Sequence, residues 1–332
     1  YLIMNKKILI TGGCGFIGSH FIDLLLNKKF KLYNIDPLSF VSNKNYSKNK
    51  KNYKFYKSST LDSKLLKKIL DEENPTTIIN FGAETHVDRS IINPKKFYKY
   101  NTEATLNLAI EFKNYIYRNN IRNYKFIHVS TDEVYGSTSN KTFKENEILK
   151  PNSPYSASKS SADLLLRSFN KTFNFKSIII RPSNNFGPRQ FPEKLIPKSI
   201  RNLNRGKKIN IYGNGKNKRE WLYVKDCVKT ILNIVNSKTN EGIFNIGSKN
   251  LISNIDLIAV ICEIYFNKKF TKKEILNNFV NFVKDRPGHD FMYKLSLEKI
   301  KKNKLLVNSN FRINLKNTVD HFKNTLWEKV LF

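Results

Sequence analysis

Cysteine is nearly missing from this sequence. Its three copies, Cys14, Cys227 and Cys262, are too few and too scattered to frame a disulfide network or a zinc site. No metal site is expected, and the cysteine usage points to a reducing cytoplasm. Acidic side chains are scarce as well: 27 Asp and Glu stand against 59 Lys and Arg, a formal net charge of +32. No apolar run approaches the ~20 residues of a membrane-spanning helix, so no membrane partner is expected. The opening YLIMNKK is too short in its apolar part for a secretion signal and shows no cleavage pattern. What is present, 332 residues of which 40% are hydrophobic, suits a globular chain of one large or two medium domains.

The positive charge invites a nucleic-acid reading, and one segment fits it best. NKNYSKNKKNYKFYK, residues 43–57, interleaves lysines with aromatic rings, as a stacking and phosphate-binding strip would. Lysine, asparagine, isoleucine, tyrosine and phenylalanine are abundant along the whole chain, however, as an AT-rich coding sequence would give. The lysines are diffuse and no nucleic-acid motif accompanies them, so a solvated basic surface is expected, with no nucleic-acid partner. Attraction of an anionic small substrate is the milder consequence.

The first half alternates short apolar runs with longer periodic ones. KKILITG, KLYNID, TTIINFGA, YKFIHVST and KSIIIRPSN read as strands; the segments between them, among them Ile17–Leu26, TLNLAIEFKNYIY and SASKSSADLLLRSF, read as helices. This alternation predicts an α/β fold, a doubly wound parallel sheet covered on both faces. After Asn184 the pattern loosens. FGPRQFPEK and IYGNGKNKREW read as loops, FNIGS as a strand returning to the sheet, and DLIAVICEIYF as an amphipathic helix.

ILITGGCGFIGSH places Gly12, Gly15 and Gly18 after a strand and at the opening of a helix. Glycines there permit a tight turn and close approach of a pyrophosphate, which the helix N-terminus then meets with N–H groups. The next strand ends in Asp36, where a carboxylate can accept from a ribose 2′-hydroxyl and would repel a 2′-phosphate, favouring NAD over NADP. Cys14 lies inside this loop, either as a reactive thiol or, more simply, as a small residue that fits. The expected organisation is a Rossmann-like NAD-binding domain over 1–183 with a return strand near 243–247, and a smaller, interleaved domain, mainly for substrate, over 184–332.

Downstream, HVSTDEVYG puts Thr131, Asp132 and Glu133 at the end of a buried strand, a costly place for two carboxylates. PYSASKSSAD then gives Tyr155 and Lys159, which share a helix face at i and i+4. An ammonium and an oxidised nicotinamide nearby would favour the phenolate, making Tyr155 a base toward a hydroxyl.

The glycine loop, Asp36, FGAETHVDRSI, HVSTDEVYG, the Tyr155/Lys159 pair, RPSNNFGPRQFPEKLIP, REWLYVKD, FNIG and DRPGHD occur in the order seen in the extended short-chain dehydrogenase/reductases. Within them, the sequence most resembles the dTDP-glucose 4,6-dehydratases. The resemblance covers nearly the whole chain, and Thr-Asp-Glu is its most specific part. It implies loss of water across C5 and C6 of a nucleotide sugar through transient C4 oxidation by bound NAD, with Glu133 as base toward C5–H and Asp132 as acid toward the C6 hydroxyl. Thr131 would hold the C4 oxygen and Tyr155 deprotonate it, with Lys159 in support. It also implies that Phe16, Ile17, Ala83 and Asn185 line the NAD site, and that Thr85, Asn184, Lys194, Leu195, Arg219 and Asn254 touch the sugar nucleotide. Lys194 and Arg219 would take the diphosphate, and the Asp285–His289 segment, with Arg286 and His289, would close over the nucleotide. A homodimer is implied too. Ser59-Thr60 replaces the family's usual Asp-Ile at the adenine, Tyr100 a threonine near the cofactor, Glu220 an aspartate before Trp221, and Met292 an arginine before Tyr293. Two alternatives remain open: the same reaction on UDP-glucose, and a sugar-nucleotide 4-epimerase, which Asp132 disfavours.

Overall fold

The computed structural model describes residues 6–26 and 28–325; most of the opening YLIMNKK lies outside them. Six strands come first: β1 (Lys6–Thr11), β2 (Phe30–Ile35), β3 (Tyr53–Tyr56), β4 (Thr77–Asn80), β5 (Lys125–Val129) and β6 (Ile178–Pro182). Then follow β7 (Asn184–Phe186), β8 (Ile209–Tyr212), β9 (Lys218–Tyr223), β10 (Gly242–Ile246), β11 (Leu251–Ser253) and β12 (Val280–Val283). Seven of these form one parallel sheet in the order β10-β6-β5-β4-β1-β2-β3. The chain leaves β1 toward β2 and later resumes at β4 on its other side. That reversal opens a crevice at the carboxyl ends of β1 and β4, where ligands of such sheets lie.

Uninterrupted Ile, Leu and Phe in β1, β4, β5 and β6 suit strands covered on both faces. One core, around Ile8, Ile10, Phe21, Ile127 and Ile180, fills one face. A second, around Leu9, Ile78, Phe112, Phe126 and Phe175, fills the other. The Pro154–Phe173 helix begins with a Ser153–Ser156 capping box and Pro154 in its first turn, and ends on Asn174 in the left-handed conformation. Asn74 and Asn267 end the Ser63–Glu73 and Asn254–Phe266 helices in the same way.

The second half of the chain feeds both regions. The Val224–Asn236 helix packs against the Phe16–Leu26 helix, β10 extends the central sheet, and Leu297 and Ile300 join its core. A separate core around Ile196, Ile200, Ile211, Leu257, Ile261 and Val319 supports two small sheets, β11-β9-β7 and β12-β8. Lys125, at the foot of β5, ties the regions together: its ammonium donates to the carbonyls of Ile234, Ser237 and Thr239 at 2.9, 2.6 and 2.6 Å, capping the Val224–Asn236 helix.

The structure departs from the sequence reading in four places. IYGNGKNKREW is not one loop: it holds the end of β8, a turn through Gly213–Asn217, and most of β9. Its polar character misled because Glu220 is buried, accepting from the backbone N–H groups of Ser248 and Lys249 at 2.7 and 2.6 Å. The Asn254–Phe266 helix is apolar round much of its surface, since it is enclosed by neighbouring helices, and so is hardly amphipathic. The 43–57 strip turns its rings inward: Tyr46 and Tyr53 are buried, with Tyr46 donating to Asp23 at 2.7 Å, and Tyr53–Tyr56 is an edge strand. Residues 94–118 run as one helical stretch interrupted by a π-helical turn at Tyr98–Glu103, which no periodicity announced.

Candidate active site

The turn after β1 is built for close approach. Gly12 sits at φ +67°, and a Cβ there would lie 2.6 Å from Gly82 in the loop after β4. A Cβ at Gly18 would lie 2.4 Å from the Gly12 carbonyl oxygen. Asp36 is held beside the turn by N–H groups of Cys14 (3.0 Å) and Leu38 (2.9 Å) and by the Ser42 hydroxyl (3.2 Å); burial pushes its carboxyl up and these bonds oppose that. Cys14 is fully buried against Asn34, and burial pushes its thiol up to about 12, so it is the small residue that fits rather than a reactive one.

Three adjoining hollows run along the crevice. The first is lined by Gly12, Gly15, Phe16, Ile17, Gly18, Ala83, Thr85, Thr131, Asp132, Glu133, Tyr155, Lys159, Asn184, Asn185 and Lys194. The second shares Gly12, Gly15 and Ala83 and adds Asp36, Ser59, Thr60 and Tyr100. The third shares Thr85, Glu133, Asn184, Asn185 and Lys194 and adds Leu195, Arg219, Asn254, Arg286 and His289. Every site residue anticipated from sequence therefore lies on one continuous groove. Gln190, Glu193, Asp88, Tyr212 and Trp221 line it too and were not anticipated, although all but Tyr212 fall inside motifs that were recognised.

At the centre, β5 delivers Ser130, Thr131 and a short 3-10 turn, Asp132–Tyr135. Asp132 is 2% exposed, and its Oδ2 has no hydrogen-bond partner among the described residues. Burial, then the charges of Glu133 and Glu220, hold its carboxyl well above the usual range against Arg219 and Thr131. Glu133, half-buried, is raised by burial but pulled back by Arg219, Arg286 and Lys194. Both carboxyls are raised, Asp132 further than Glu133, so the surroundings push the pair apart.

Tyr155 packs edge-on against Phe97 at 6.4 Å and bonds to Thr131. Burial and the Glu133 charge hold its phenol above the ordinary range. Lys159 donates to the Val129 carbonyl at 2.8 Å, and burial pulls its ammonium down to about 8 against Asp163. The π-helical turn positions this wall: Asn101 bridges the Glu84 backbone (2.8 and 2.9 Å) and Ser158 (2.9 Å), joining the loop after β4 to the Tyr155 helix.

Cations gather toward the third hollow. Lys194 donates to the Thr85 carbonyl at 2.8 Å, and burial lowers its ammonium. Arg219 lies over the Tyr293 ring at 4.6 Å and donates to the carbonyls of Lys218, Asp290 and Phe291. Arg286 faces Asp88 at 3.4 Å, and Asp88 also accepts from Tyr212 at 3.0 Å. His289 pairs with Asp285 at 2.6 Å, and burial lowers its imidazole.

A doubly wound parallel sheet, a glycine turn opening a helix, and a Thr–Tyr–Lys set in the crevice define an extended short-chain dehydrogenase/reductase. The chain belongs to the GDP-mannose 4,6-dehydratase family, whose model matches residues 9–305. It is similar to dTDP-glucose 4,6-dehydratase of Escherichia coli, at 36% identity over 98% of this chain and 96% of that protein. It is also similar to the crystal structure of DesIV, a dTDP-glucose 4,6-dehydratase from Streptomyces venezuelae with NAD bound, at TM-score 0.88 and 32% identity over 98% of this chain and 100% of that one. The UDP-glucose 4-epimerase of Thermotoga maritima matches at TM-score 0.85 and 28% identity, over 97% of this chain and all of that one.

Proposed function

We propose that this chain is a dTDP-glucose 4,6-dehydratase that works on NAD held in the first and second hollows. The observation that carries this is the polarised Asp132–Glu133 pair set beside Tyr155 in one crevice. An epimerase, which only oxidises and re-reduces C4, has no use for an acid and a base poised to expel water. Relatives named for dTDP-glucose favour that substrate over UDP-glucose.

The residues present fit NAD. Ser130, Ser183, Asn185 and Gln190 line the first hollow, and each has a buried polar atom without a partner among the described residues. The turn at Gly12–Gly18 leaves room where side chains would clash. Gly12, Gly15, Phe16, Ile17, Gly18, Ala83 and Asn185 would hold the nicotinamide half and pyrophosphate, and Asp36, Ser59 and Thr60 the adenosine. When bound, the cofactor accepts a hydride from C4 of the sugar and returns it to C6.

Tyr155 takes the proton of the C4 hydroxyl while Thr131 holds that oxygen. Because burial and Glu133 keep the phenol high, its ionisation needs positive charge nearby, the part this reading gives to Lys159, which lines the same hollow one helical turn on. Once C4 is a ketone, the C5 proton is acidic. Glu133 removes it and Asp132 protonates the departing C6 hydroxyl, so water leaves; a proton returns to C5 as C6 takes up hydride. Lys194 and Arg219, with Arg286 and His289, support the diphosphate end, while Thr85, Asn184, Leu195 and Asn254 line the path of sugar and base. The same reading includes a cytoplasmic homodimer; exposed Tyr117, Leu164 and Phe173 on the Ala104–Arg118 and Pro154–Phe173 helices support the dimer, and light scattering tests it.

Incubation with dTDP-glucose and with UDP-glucose, followed by the alkali-induced absorbance of a 4-keto-6-deoxy sugar, tests the assignment. Product from dTDP-glucose is expected. Product from UDP-glucose alone, or a C4 epimer without loss of water, refutes it.

A further inference from the structure

Beneath the crevice a row of polar side chains crosses the central sheet. Thr11 Oγ1 on β1 lies 2.5 Å from the side-chain amide of Asn80 on β4, and the other end of that amide lies 3.1 Å from Nδ1 of His128 on β5. His128 Nε2 is 3.3 Å from Lys159 Nζ and 3.9 Å from Asp163. Asp163 accepts from Arg181 on β6 at 2.8 Å, Arg181 donates to the Tyr135 hydroxyl at 2.8 Å, and Tyr135 donates to Asn245 on β10 at 2.8 Å. His128, Asp163, Arg181 and Asn245 have no exposed surface.

An ammonium has three N–H groups to place. Lys159 gives one to the Val129 carbonyl, and His128 Nε2, 3.3 Å away, can take a second where that nitrogen carries no proton. We propose that His128 is the positioning residue of this site, a neutral imidazole with its one proton on Nδ1, toward which Asn80 turns its amide oxygen, so that Nε2 accepts from Lys159 and keeps a charged ammonium on the hollow that Tyr155 also lines. The imidazole stays neutral because burial and the Lys159 charge hold it well below its ordinary range. Of the other ionisable groups, Asp163 faces both, Arg181 on β6 reaches them through Asp163, and Tyr155, with Asp132 and Glu133 beside its phenol, lines the same hollow as Lys159. Without the imidazole, Lys159 would keep a buried charge on a single carbonyl and give it up at lower pH. Tyr155 would then ionise only at higher pH.

This inference rests on the oxidation role proposed above for Tyr155 and Lys159. The test compares NAD-loaded His128→Leu and His128→Gln with the wild type. It measures the pH profiles of kcat and KM, the thermal midpoint, and the ultraviolet titration of tyrosinate in each protein against its Tyr155→Phe counterpart. In His128→Leu the acid limb of kcat should move up by about one pH unit. Activity at neutral pH should fall about tenfold, the scale of one hydrogen bond to a charged group, with KM unchanged and the Tyr155 titration moving by the same interval. His128→Gln, whose amide oxygen can accept from Lys159, should recover most of the shift. If His128→Leu does not fold, His128→Asn, too short to reach Nζ, takes its place. A folded variant with the wild-type profile and titration, or a Gln variant as displaced as Leu, overturns the proposal. The titration needs no turnover, so a wild type inactive on nucleotide sugars refutes the functional reading, while the titration decides separately whether His128 governs the ionisation of Tyr155.

Discussion

Replacing Asp132 with asparagine should make the protein more stable and nearly inactive at once. The side chain is buried with Oδ2 unpartnered, and its carboxyl is raised well above the usual range by burial, Glu133 and Glu220. In the unfolded chain it ionises near pH ~3.9; in the folded chain it keeps its proton. The folded state therefore binds more protons across that interval, and stability falls as pH rises through it, by about 1.4 kcal/mol per pH unit from this group alone. Asparagine removes the slope. Its advantage should be nil at and below about pH 4, grow through pH 5 and 6, and level off above the folded pKa. At 2–4 °C per kcal/mol or somewhat less for a chain of this size, each pH unit is worth roughly 2 °C of melting temperature. Dehydration should fall about 10²–10⁴-fold, the usual worth of general acid–base assistance. Urea unfolding of wild type and variant at matched pH values reads the first effect, and formation of the 4-keto-6-deoxy product the second. A stability difference independent of pH, or a variant that keeps a tenth of the activity, would refute the argument that Asp132 is the protonated acid.

Glu133→Gln should retain NAD and bind nucleotide sugar, yet lose dehydration about 10²–10⁴-fold, while Tyr155→Phe should block the first oxidation, leaving no NADH absorbance in a single turnover. Gly18→Ala should strip the purified protein of NAD, because the new methyl group would press on the Gly12 carbonyl at 2.4 Å; cofactor retained at the wild-type level after denaturation and assay counts against the turn as the pyrophosphate seat. Lys125→Met should lower stability by about 1.5–3 kcal/mol, the range for hydrogen bonds to a charged group, with kcat unchanged, since Lys125 caps the Val224–Asn236 helix at the opposite end of β5 from Thr131; denaturant midpoints and steady-state rates check both halves.

The parallel sheet was legible because its inner strands are short apolar runs spaced by helical periodicity, and Ile, Val and Leu there have no other use. The small sheets were not. Strands of three to six residues such as Asn184–Phe186 and Lys218–Tyr223 carry Asn, Lys, Arg and Glu, and only tertiary partners hide those groups. Arg219 is satisfied by carbonyls some seventy positions away, which no local window contains. The site residues were legible where they sit in compact motifs, as Thr131–Glu133 and Tyr155/Lys159 do. Asp88 and Tyr212 were missed because their meeting at 3.0 Å depends on how the second core sets β8 against the Val87–Ile92 helix. His128 was in plain view within HVSTDEVYG, but a lone histidine in an apolar strand gives no sign of its neighbours.

The polar row under the crevice also bears on how the sheet finds its alignment. Runs such as ILIT, TIIN, FIHV, IIIR and IFNI are nearly interchangeable to a neighbour that counts only apolar surface, so parallel strands of this kind could slide by two residues and keep the same faces buried. Thr11, Asn80, His128, Arg181 and Asn245 forbid it. A two-residue slip of any one strand would leave buried hydrogen-bonding groups without partners at about 1–3 kcal/mol each, and more where Arg181 parts from Asp163. One polar residue per strand thus acts as a notch, and the sheet that carries the Asp132–Glu133 turn can close in a single register.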